Sequence, residues 1–153
     1  MPLLQQQLRA THPECHVDID GMIEEFTLNT EQARAFRIIA EHSLRHDSPP
    51  LRMFLGGAGG TGKSRVINTL KEFFVRRQQE RRLRLASYTG VAARNISGVT
   101  LHSALLLNQR QKGGFTSSAK RDLTAMWEGV DYLFIDEVSM IGCTFLLDVS
   151  RAL

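Results

Sequence analysis

The stretch "MFLGGAGGTGKSRVI", residues 53–67, places five glycines within seven residues between two apolar runs. Glycine loses more backbone entropy on ordering than any other residue, so such a cluster is typical of a loop whose backbone has a task. Residues 57–64 fit the pattern G-x-x-x-x-G-K-[ST], which predicts a phosphate-binding loop between a strand and a helix. In such a loop, backbone N–H groups and the positive end of the following helix surround the phosphate oxygens.

This loop predicts that the chain binds a nucleoside triphosphate. Lys63 is expected to contact the β- and γ-phosphates as a point charge, and the Ser64 hydroxyl to hold Mg²⁺. The alternative is a glycine-rich turn without a chemical role, which the complete motif and its flanking strand and helix patterns disfavour. The predicted phosphate-contacting residues are Gly57, Ala58, Gly59, Gly60, Thr61, Gly62, Lys63 and Ser64.

A second candidate site follows the apolar run "YLFI", where Asp136 and Glu137 are adjacent. At the carboxyl end of a strand, Asp136 is expected to face Mg²⁺, and Glu137 to orient or deprotonate an attacking water. The alternative is an acidic pair that merely ends a strand. A glutamate directly after the metal-binding aspartate favours water as the nucleophile, so hydrolysis is predicted rather than phosphate transfer. Lys63, Asp136 and Glu137 are therefore the predicted catalytic residues.

Composition sets bounds on the class of protein. With 153 residues, 42% hydrophobic and 23% charged, the chain has the size and composition of one globular domain. A net charge of +3 is compatible with a polyanionic partner without requiring one. Cys15 and Cys143 are too far apart in sequence to indicate a disulfide framework, and a metal site at His12, Cys15 and His16 is disfavoured. No apolar run reaches the roughly 18 residues of a membrane span, and no secretory signal is evident.

Helical and strand patterns alternate along the chain, which predicts an α/β fold with a parallel, three-layer sheet. Asn29 or Thr30 is expected to cap a helix that ends before "HDSPP" and buries Ala33, Phe36, Ile39, Ala40 and Leu44. After Gly62, an apolar helical stripe comprises Val66, Ile67, Leu70, Phe73 and Phe74, and residues 76–82 are expected to form a solvated face. Strands are predicted at 51–55, 83–88 and 131–135, further helices at 91–96, 100–107 and 119–129, and a loop at 108–118.

Four segments in order resemble one family: "LNTEQ" at 28–32, "GAGGTGKS" at 57–64, "YTGVAARNISGVTLHS" at 88–103 and "FIDEVSMI" at 134–141. Together they are similar to the ATP-dependent DNA helicases of the PIF type (petite integration frequency) in superfamily one, including relatives carried by rolling-circle transposons. The segment 88–103 is the most specific of the four. It disfavours other P-loop ATPases, such as DNA-transposition or replication-loading proteins.

The resemblance implies roles that spacing alone does not give. In this family the glutamine matching Gln32 recognises adenine, since a carboxamide can pair with both N6 and N7; the alternative is an ordinary helix-start glutamine. Tyr88 stands where proline is commoner, and little consequence is expected from that. The segments T-G-x-A-A-x-N-I and G-x-T-x-H-S line the path of single-stranded DNA, whereas helix caps and turn positions are the alternative. The implied DNA contacts are Thr89, Gly90, Asn95, Thr100, His102 and Ser103.

The resemblance also implies a domain organisation and a cellular role. Residues 1–27 show weak periodicity and are interpreted as a segment of uncertain order, whereas the resemblance implies that residues 28–153 are part of the first of two RecA-like domains. Since the second domain supplies arginines for hydrolysis, we expect weak ATP·Mg²⁺ binding, slow hydrolysis and no unwinding by this chain alone. The implied activity is that of a 5′-to-3′ helicase in DNA repair, recombination and telomere maintenance, or in transposon mobilisation, in the nucleus or alternatively in mitochondria. A non-catalytic nucleotide-binding module is the alternative.

Overall fold

The computed structural model describes residues 17–57, 62–106 and 116–153. The chain divides into two compact units, Met1–Glu80 and Arg81–Leu153. The division falls inside the single partial domain expected from residue 28 onward, so the boundary after residue 27 stays a prediction. Most of the predicted loop at 108–118, and the disfavoured metal site around Cys15, lie outside the described residues.

The described part of the first unit is helical. It contains α1 (Ile19–Glu25), α2 (Thr30–Leu44) and α3 (Lys63–Arg76). The Asn29 side chain accepts a hydrogen bond from the Gln32 backbone N–H while the Gln32 side chain accepts one from the Asn29 backbone N–H. This capping box explains why α2 begins where it does, and the turn before Pro49 explains why it ends.

The core of the first unit lies between α2 and α3. The predicted stripe on α3 is confirmed, because all its members are at most 1% exposed: Val66, Ile67, Leu70, Phe73 and Phe74. The Phe36 and Phe73 rings meet edge to face at 5.8 Å. On α2, Phe36 and Ala40 are buried as predicted, whereas Ala33 and Ile39 are only partly buried. Leu44 is 48% exposed because it is the last residue of the helix.

Two predictions for the first unit are wrong in part. Residues 51–55 form no strand, and Phe54 is 77% exposed. An apolar pattern measures only side-chain preference, whereas a strand also needs a neighbour for its backbone hydrogen bonds. The arginines within 76–82 are not simply solvated, since Arg76 pairs with Glu25 and Glu72, and Arg82 pairs with Asp131.

The second unit contains the sheet. Its elements are β1 (Leu83–Ser87), α4 (Gly90–Asn95), β2 (Val99–Thr100), α5 (Leu101–Leu105), α6 (Ser117–Trp127), β3 (Tyr132–Asp136) and α7 (Cys143–Ala152), with short 3₁₀ turns at Glu80–Arg82 and Val138–Met140. Among the described residues the strands form one parallel sheet in the order β2-β1-β3, with Ser87 opposite both Thr100 and Asp136. The predicted α/β class with a parallel sheet is confirmed.

The strand β2 was not predicted, and a glycine permits it. An added Cβ on Gly98 would lie 2.5 Å from the backbone oxygen of Leu85 on β1, closer than side chains ever pack. Only a residue without a side chain therefore lets β2 come alongside β1 at this register.

A hydrophobic cluster in the second unit packs around Ala86 of β1, and Leu85, Ala93 and Ile96 are buried as well. Ala86 on β1 packs with Leu101, Ala104 and Leu105 of α5 and with Val149 of α7. The Trp127 indole N–H donates to the Ala104 carbonyl at 2.8 Å. These contacts tie α6 to α5, and α5 to the sheet, behind the carboxyl ends of the strands.

Candidate nucleotide and DNA sites

The phosphate-loop motif begins α3 as predicted. Gly57 and Gly62 are described, whereas Ala58, Gly59, Gly60 and Thr61 lie outside the described residues. Gly62 caps α3 with φ +83°, a backbone conformation that favours glycine. The Lys63 ammonium donates to the Gly57 carbonyl at 2.7 Å. The lysine thus reaches back to the first glycine of the motif, and the two ends of the loop are held together.

Gln32 is the link between α2 and this loop. Its carboxamide oxygen accepts from the Asn29 backbone N–H at 3.0 Å, and its amide nitrogen donates to the Gly62 carbonyl at 3.1 Å. A carboxamide has two donor hydrogens and two acceptor lone pairs, so these bonds leave half of its capacity for a base. The helix-start role is therefore present, and the predicted adenine role stays compatible with it.

A pocket of about 560 Å³ lies between these groups and is lined by Gln32, Gly57 and Lys63 together with the apolar side chains of Ile38, Met53 and Phe54. Ligand pockets of several hundred Å³ combine apolar walls with a few placed polar groups. This pocket has a cation at the loop, a carboxamide beside it, and apolar surface for a ring. Its residues fit ATP.

The predicted Mg²⁺ donors are distributed over both units. Ser64 is exposed at the second position of α3, and Asp136 is partly buried at the last position of β3. Mg²⁺ in phosphate sites takes one or two protein oxygens together with phosphates and waters. The Ser64 hydroxyl and the Asp136 carboxylate are each an oxygen donor of a type that Mg²⁺ accepts. Within the described ranges, no cluster of three or more His, Cys, Asp or Glu side chains forms a self-contained metal site.

In the second unit, the acidic pair lies at the carboxyl end of β3, which is an outer strand of the sheet that the described residues form. The buried Ser87 hydroxyl donates to the Asp136 carbonyl at 3.2 Å, which fixes the end of β3 against β1. Glu137 is exposed and adopts φ +56°, ψ +43°, the left-handed region that residues with side chains rarely enter. The backbone therefore turns sharply at Glu137.

Most of the implied DNA contacts gather at the same end of the sheet. Thr89 follows β1 and caps α4 by accepting from the Ala92 N–H at 3.2 Å, and Gly90 is exposed beside it. Thr100 ends β2, caps α5 and donates to the Ser103 hydroxyl at 3.0 Å. The carboxyl ends of neighbouring parallel strands meet at one end of a sheet, so these groups share a surface.

Asn95 lies apart from that group. It is the last residue of α4, roughly 9 Å along the helix axis from Thr89 at about 1.5 Å per residue. The cap roles of Thr89 and Thr100 correspond to the structural alternative, yet they use only part of each hydroxyl's capacity. The sequence patterns did not identify two residues at this end of the sheet, the buried Ser87 and the partly exposed Phe145.

These segments also match a known protein family. The family model for PIF1-like helicases matches residues 27–151. The chain belongs to the PIF1-like helicase family. The match includes the phosphate loop, the acidic pair and all the implied DNA contacts.

Individual PIF1-like relatives are similar over much of this chain. An ATP-dependent DNA helicase PIF1 of Trypanosoma brucei is 32% identical over 138 residues, which is 87% of this chain and 13% of that protein. An ATP-dependent DNA helicase PIF1 of Candida albicans is 31% identical over 66% of this chain and 12% of that protein. The helicase RRM3 of Saccharomyces cerevisiae is 28% identical over 78% of this chain and 16% of its own length.

The chain thus spans less than a fifth of the length of these relatives. No solved structure gives a significant match. In the part of the chain that the structure describes, no helix is both long and apolar enough to span a membrane.

Proposed function

We propose that this chain is the ATP-binding part of a 5′-to-3′ DNA helicase that uses ATP with Mg²⁺ to move along single-stranded DNA. The observation that carries the proposal is the arrangement in the first unit: Lys63 bonded across the loop to Gly57, beside a pocket that also contains Gln32. That arrangement supplies a cation for phosphates and a carboxamide for adenine in one cavity.

The proposed steps follow from the chemistry of each side chain. The Lys63 ammonium exchanges the Gly57 carbonyl for phosphate oxygens, which is favourable because the bond then joins opposite charges. The Ser64 hydroxyl in the first unit and the Asp136 carboxylate in the second are each proposed as Mg²⁺ ligands, and the metal would supply neutralisation of the phosphate charge. Glu137 accepts hydrogen bonds from the attacking water and orients it.

The proposed nucleic-acid contact is the carboxyl end of the sheet in the second unit. Hydroxyl, amide and backbone N–H groups there suit the sugar-phosphate backbone of a single strand, without sequence preference. The family supports a role in DNA metabolism. We propose genome maintenance, including repair, recombination and telomere maintenance, and a nuclear location, with transposon mobilisation and mitochondria as the alternatives.

The decisive measurement is steady-state ATP hydrolysis by the purified chain with and without single-stranded DNA. We expect slow turnover that DNA raises and that Lys63→Ala and Glu137→Gln each abolish, with Glu137→Gln still binding ATP. Arg121, exposed on α6 and remote from the motifs in sequence, provides the control variant Arg121→Ala, which should keep parent turnover.

Two results would overturn the proposal in different ways. ATP binding without any turnover would favour the non-catalytic nucleotide-binding module, since Glu137 would then be idle. Absence of ATP binding would remove the nucleotide role altogether. Efficient unwinding by this chain alone would contradict the expectation that a second domain is required.

A further inference from the structure

The rings of Tyr88, His102 and Phe145 meet at the carboxyl end of the sheet in the second unit. The Phe145 ring lies 5.1 Å from Tyr88 and 4.6 Å from His102, centroid to centroid, and Tyr88 lies 5.8 Å from His102. All these residues are partly exposed. We call this group the aromatic trio.

The aromatic trio lies among the implied DNA contacts. Tyr88 directly precedes Thr89, and His102 lies between Thr100 and Ser103. Phe145 comes from α7, which follows the acidic pair. Aromatic surface is therefore continuous with the hydroxyl groups that are proposed to contact the sugar-phosphate backbone.

The charges near the aromatic trio indicate which part of a nucleic acid this surface can bind. Asp136 is paired with Ser87, the last residue of β1 and the residue before Tyr88, and Glu137 follows Asp136, so two acidic residues lie at the end of the strand beside β1. Phosphate groups are repelled by carboxylates, whereas nucleobases are uncharged and stack on aromatic rings. The surface at the trio therefore favours a base over a phosphate.

We propose that the aromatic trio stacks one nucleobase of single-stranded DNA, with Tyr88 as its principal ring. This inference rests on the proposed function and adds a base contact to a surface otherwise expected to touch only the backbone. It also gives a role to Tyr88, from which little consequence was expected.

The competing role for these rings is packing alone, because Phe145 also contacts the apolar core of the unit. Tyr88 separates the two roles better than Phe145 does. Tyr88→Leu removes the ring but keeps a large apolar side chain, and Tyr88→Phe keeps the ring but removes the hydroxyl. If the rings only pack against the core, Tyr88→Leu should lower stability without changing the preference for a strand that carries bases.

The test compares two strands with identical phosphates: a 12-nucleotide oligothymidine and an abasic strand of the same length, titrated by fluorescence anisotropy. We expect the parent and Tyr88→Phe to bind oligothymidine about tenfold more tightly than the abasic strand, as one stacked base predicts. Tyr88→Leu should bind both strands equally, with unchanged affinity for the abasic strand. Thermal unfolding of each variant establishes that the comparison is between folded proteins.

The outcomes separate this inference from the proposed function. If the parent binds both strands equally well, or if Tyr88→Leu keeps the parent's preference, stacking by the trio is wrong while DNA binding stands. If the parent binds neither strand, the proposed DNA function fails and the stacking site fails with it. Because the first comparison uses the parent alone, equal binding of the two strands would refute stacking by the trio even if Tyr88→Leu does not fold.

Discussion

At the scale of single residues, Gly62 is constrained in two ways. It combines φ +83° with a side-chain neighbour so close that an added Cβ would lie 2.2 Å from the Gln32 amide nitrogen. The sequence motif requires glycine here for the phosphate loop. The structure adds a second reason, since the position is also the docking point of Gln32.

We predict that Gly62→Ala weakens ATP binding at least tenfold. The methyl group strains the left-handed backbone by about 1–2 kcal/mol and displaces Gln32 from the loop. Titration with a fluorescent ATP analogue measures the effect. Gly142→Ala is the matched control, because Gly142 has an ordinary φ of −70° and open space around an added Cβ. Equal ATP affinity in both variants would contradict the role assigned to Gly62.

Glu137 shows the opposite situation, a side chain in a conformation that favours glycine. Its φ of +56° costs about 1 kcal/mol, which the surrounding structure must hold in place. Strain of this kind at a proposed catalytic residue is explained if the carboxylate is required for chemistry and not for stability.

We therefore predict that Glu137→Gly unfolds at a temperature no lower than the parent while losing ATP turnover. Relief of the left-handed strain offsets the added flexibility of glycine in the unfolded chain. Differential scanning calorimetry gives the unfolding temperature. Ser139→Gly, exposed in the following 3₁₀ turn and without a positive φ, should unfold at a lower temperature. Equal destabilisation by both changes would refute the strain argument.

At the scale of secondary-structure elements, the C-terminal end of α6 is capped by side chains that lie outside the helix. No basic residue lies in its last turn. Instead, the Arg81 guanidinium donates to the carbonyls of Ala125 and Glu128, at 2.5 and 2.6 Å. Arg84 donates to the Met126 carbonyl and lies over the Trp127 ring, and its burial lowers the pKa of its guanidinium. The carbonyl groups at the end of α6 thus accept hydrogen bonds from two arginines, one just before β1 and one within it.

We predict that Arg81→Ala lowers the free energy of unfolding by about 1 kcal/mol, because two charge-assisted hydrogen bonds to the helix end are lost from an exposed site. Urea unfolding followed by far-ultraviolet circular dichroism measures this change. Lys120→Ala, an exposed position on α6 itself, should change it by less than about 0.5 kcal/mol. A similar loss in both variants would show that charge, and not capping, matters.

A second element-scale contact joins α1 to α3 in the first unit. Arg76 donates two hydrogen bonds to Glu25, at 2.6 and 2.7 Å, and a further one to Glu72. The hydrogen bond from Arg76, reinforced by its charge, lowers the pKa of the Glu25 carboxyl. A carboxyl whose pKa is lower in the folded chain stabilises it above the unfolded-state pKa, and this contribution disappears as the pH falls through the folded-state pKa.

Glu25→Gln is accordingly expected to reduce stability at pH 7, with the deficit shrinking once the pH falls below the ordinary glutamate pKa of about 4.5. Urea unfolding from pH 7 to pH 3 follows the difference between variant and parent. The neighbouring Glu24→Gln, also exposed, serves as the comparison. A deficit for Glu25→Gln that does not change with pH would contradict the assignment.

At the scale of the whole molecule, the proposed DNA surface is polar but carries few cations. The implied contacts are hydroxyl, amide, imidazole and backbone groups, and the chain as a whole has a net charge of only +3. Binding to single strands loses affinity with salt in proportion to the number of phosphates neutralised by cations, with a slope of about −0.7 for each.

We predict a shallow salt dependence for binding of single-stranded DNA by this chain, with a slope of log K against log salt between about −2 and 0. Anisotropy titrations between 50 and 200 mM salt give the slope. Arg94 is exposed on α4 near the implied contacts, and its replacement by alanine should make the slope shallower still. A slope steeper than about −3 would indicate a cationic surface elsewhere.

The sequence predicted the parts of the fold that depend on short-range pattern. The α3 stripe, the cap at Asn29, the strands β1 and β3 and the helix α6 all follow from spacing and capping chemistry within a few residues. Strand pairing is a long-range property, so residues 51–55 were wrongly assigned and the two-residue β2 was missed. The helix α7, with its mixture of small, polar and apolar residues, was missed as well.

In the candidate sites, too, local features could be predicted from the sequence and long-range contacts could not. The types of residue in each motif follow from the sequence, because a phosphate loop or an acidic pair is local. The contacts that join the motifs are not local: Gln32 to Gly62, Ser87 to Asp136, and Tyr88 to Phe145. None of these pairs has a spacing that a sequence pattern could identify.

The close approach at Gly98 limits how this chain can change over generations. Any L-amino acid there would push the short strand away from Leu85, and with it Thr100 away from Ser87. A residue that takes no part in chemistry therefore sets the spacing of those that are proposed to do so. A substitution at position 98 would impair the proposed DNA binding. Its direct effect would nevertheless be steric, because the added Cβ would lie about half an ångström too close to β1.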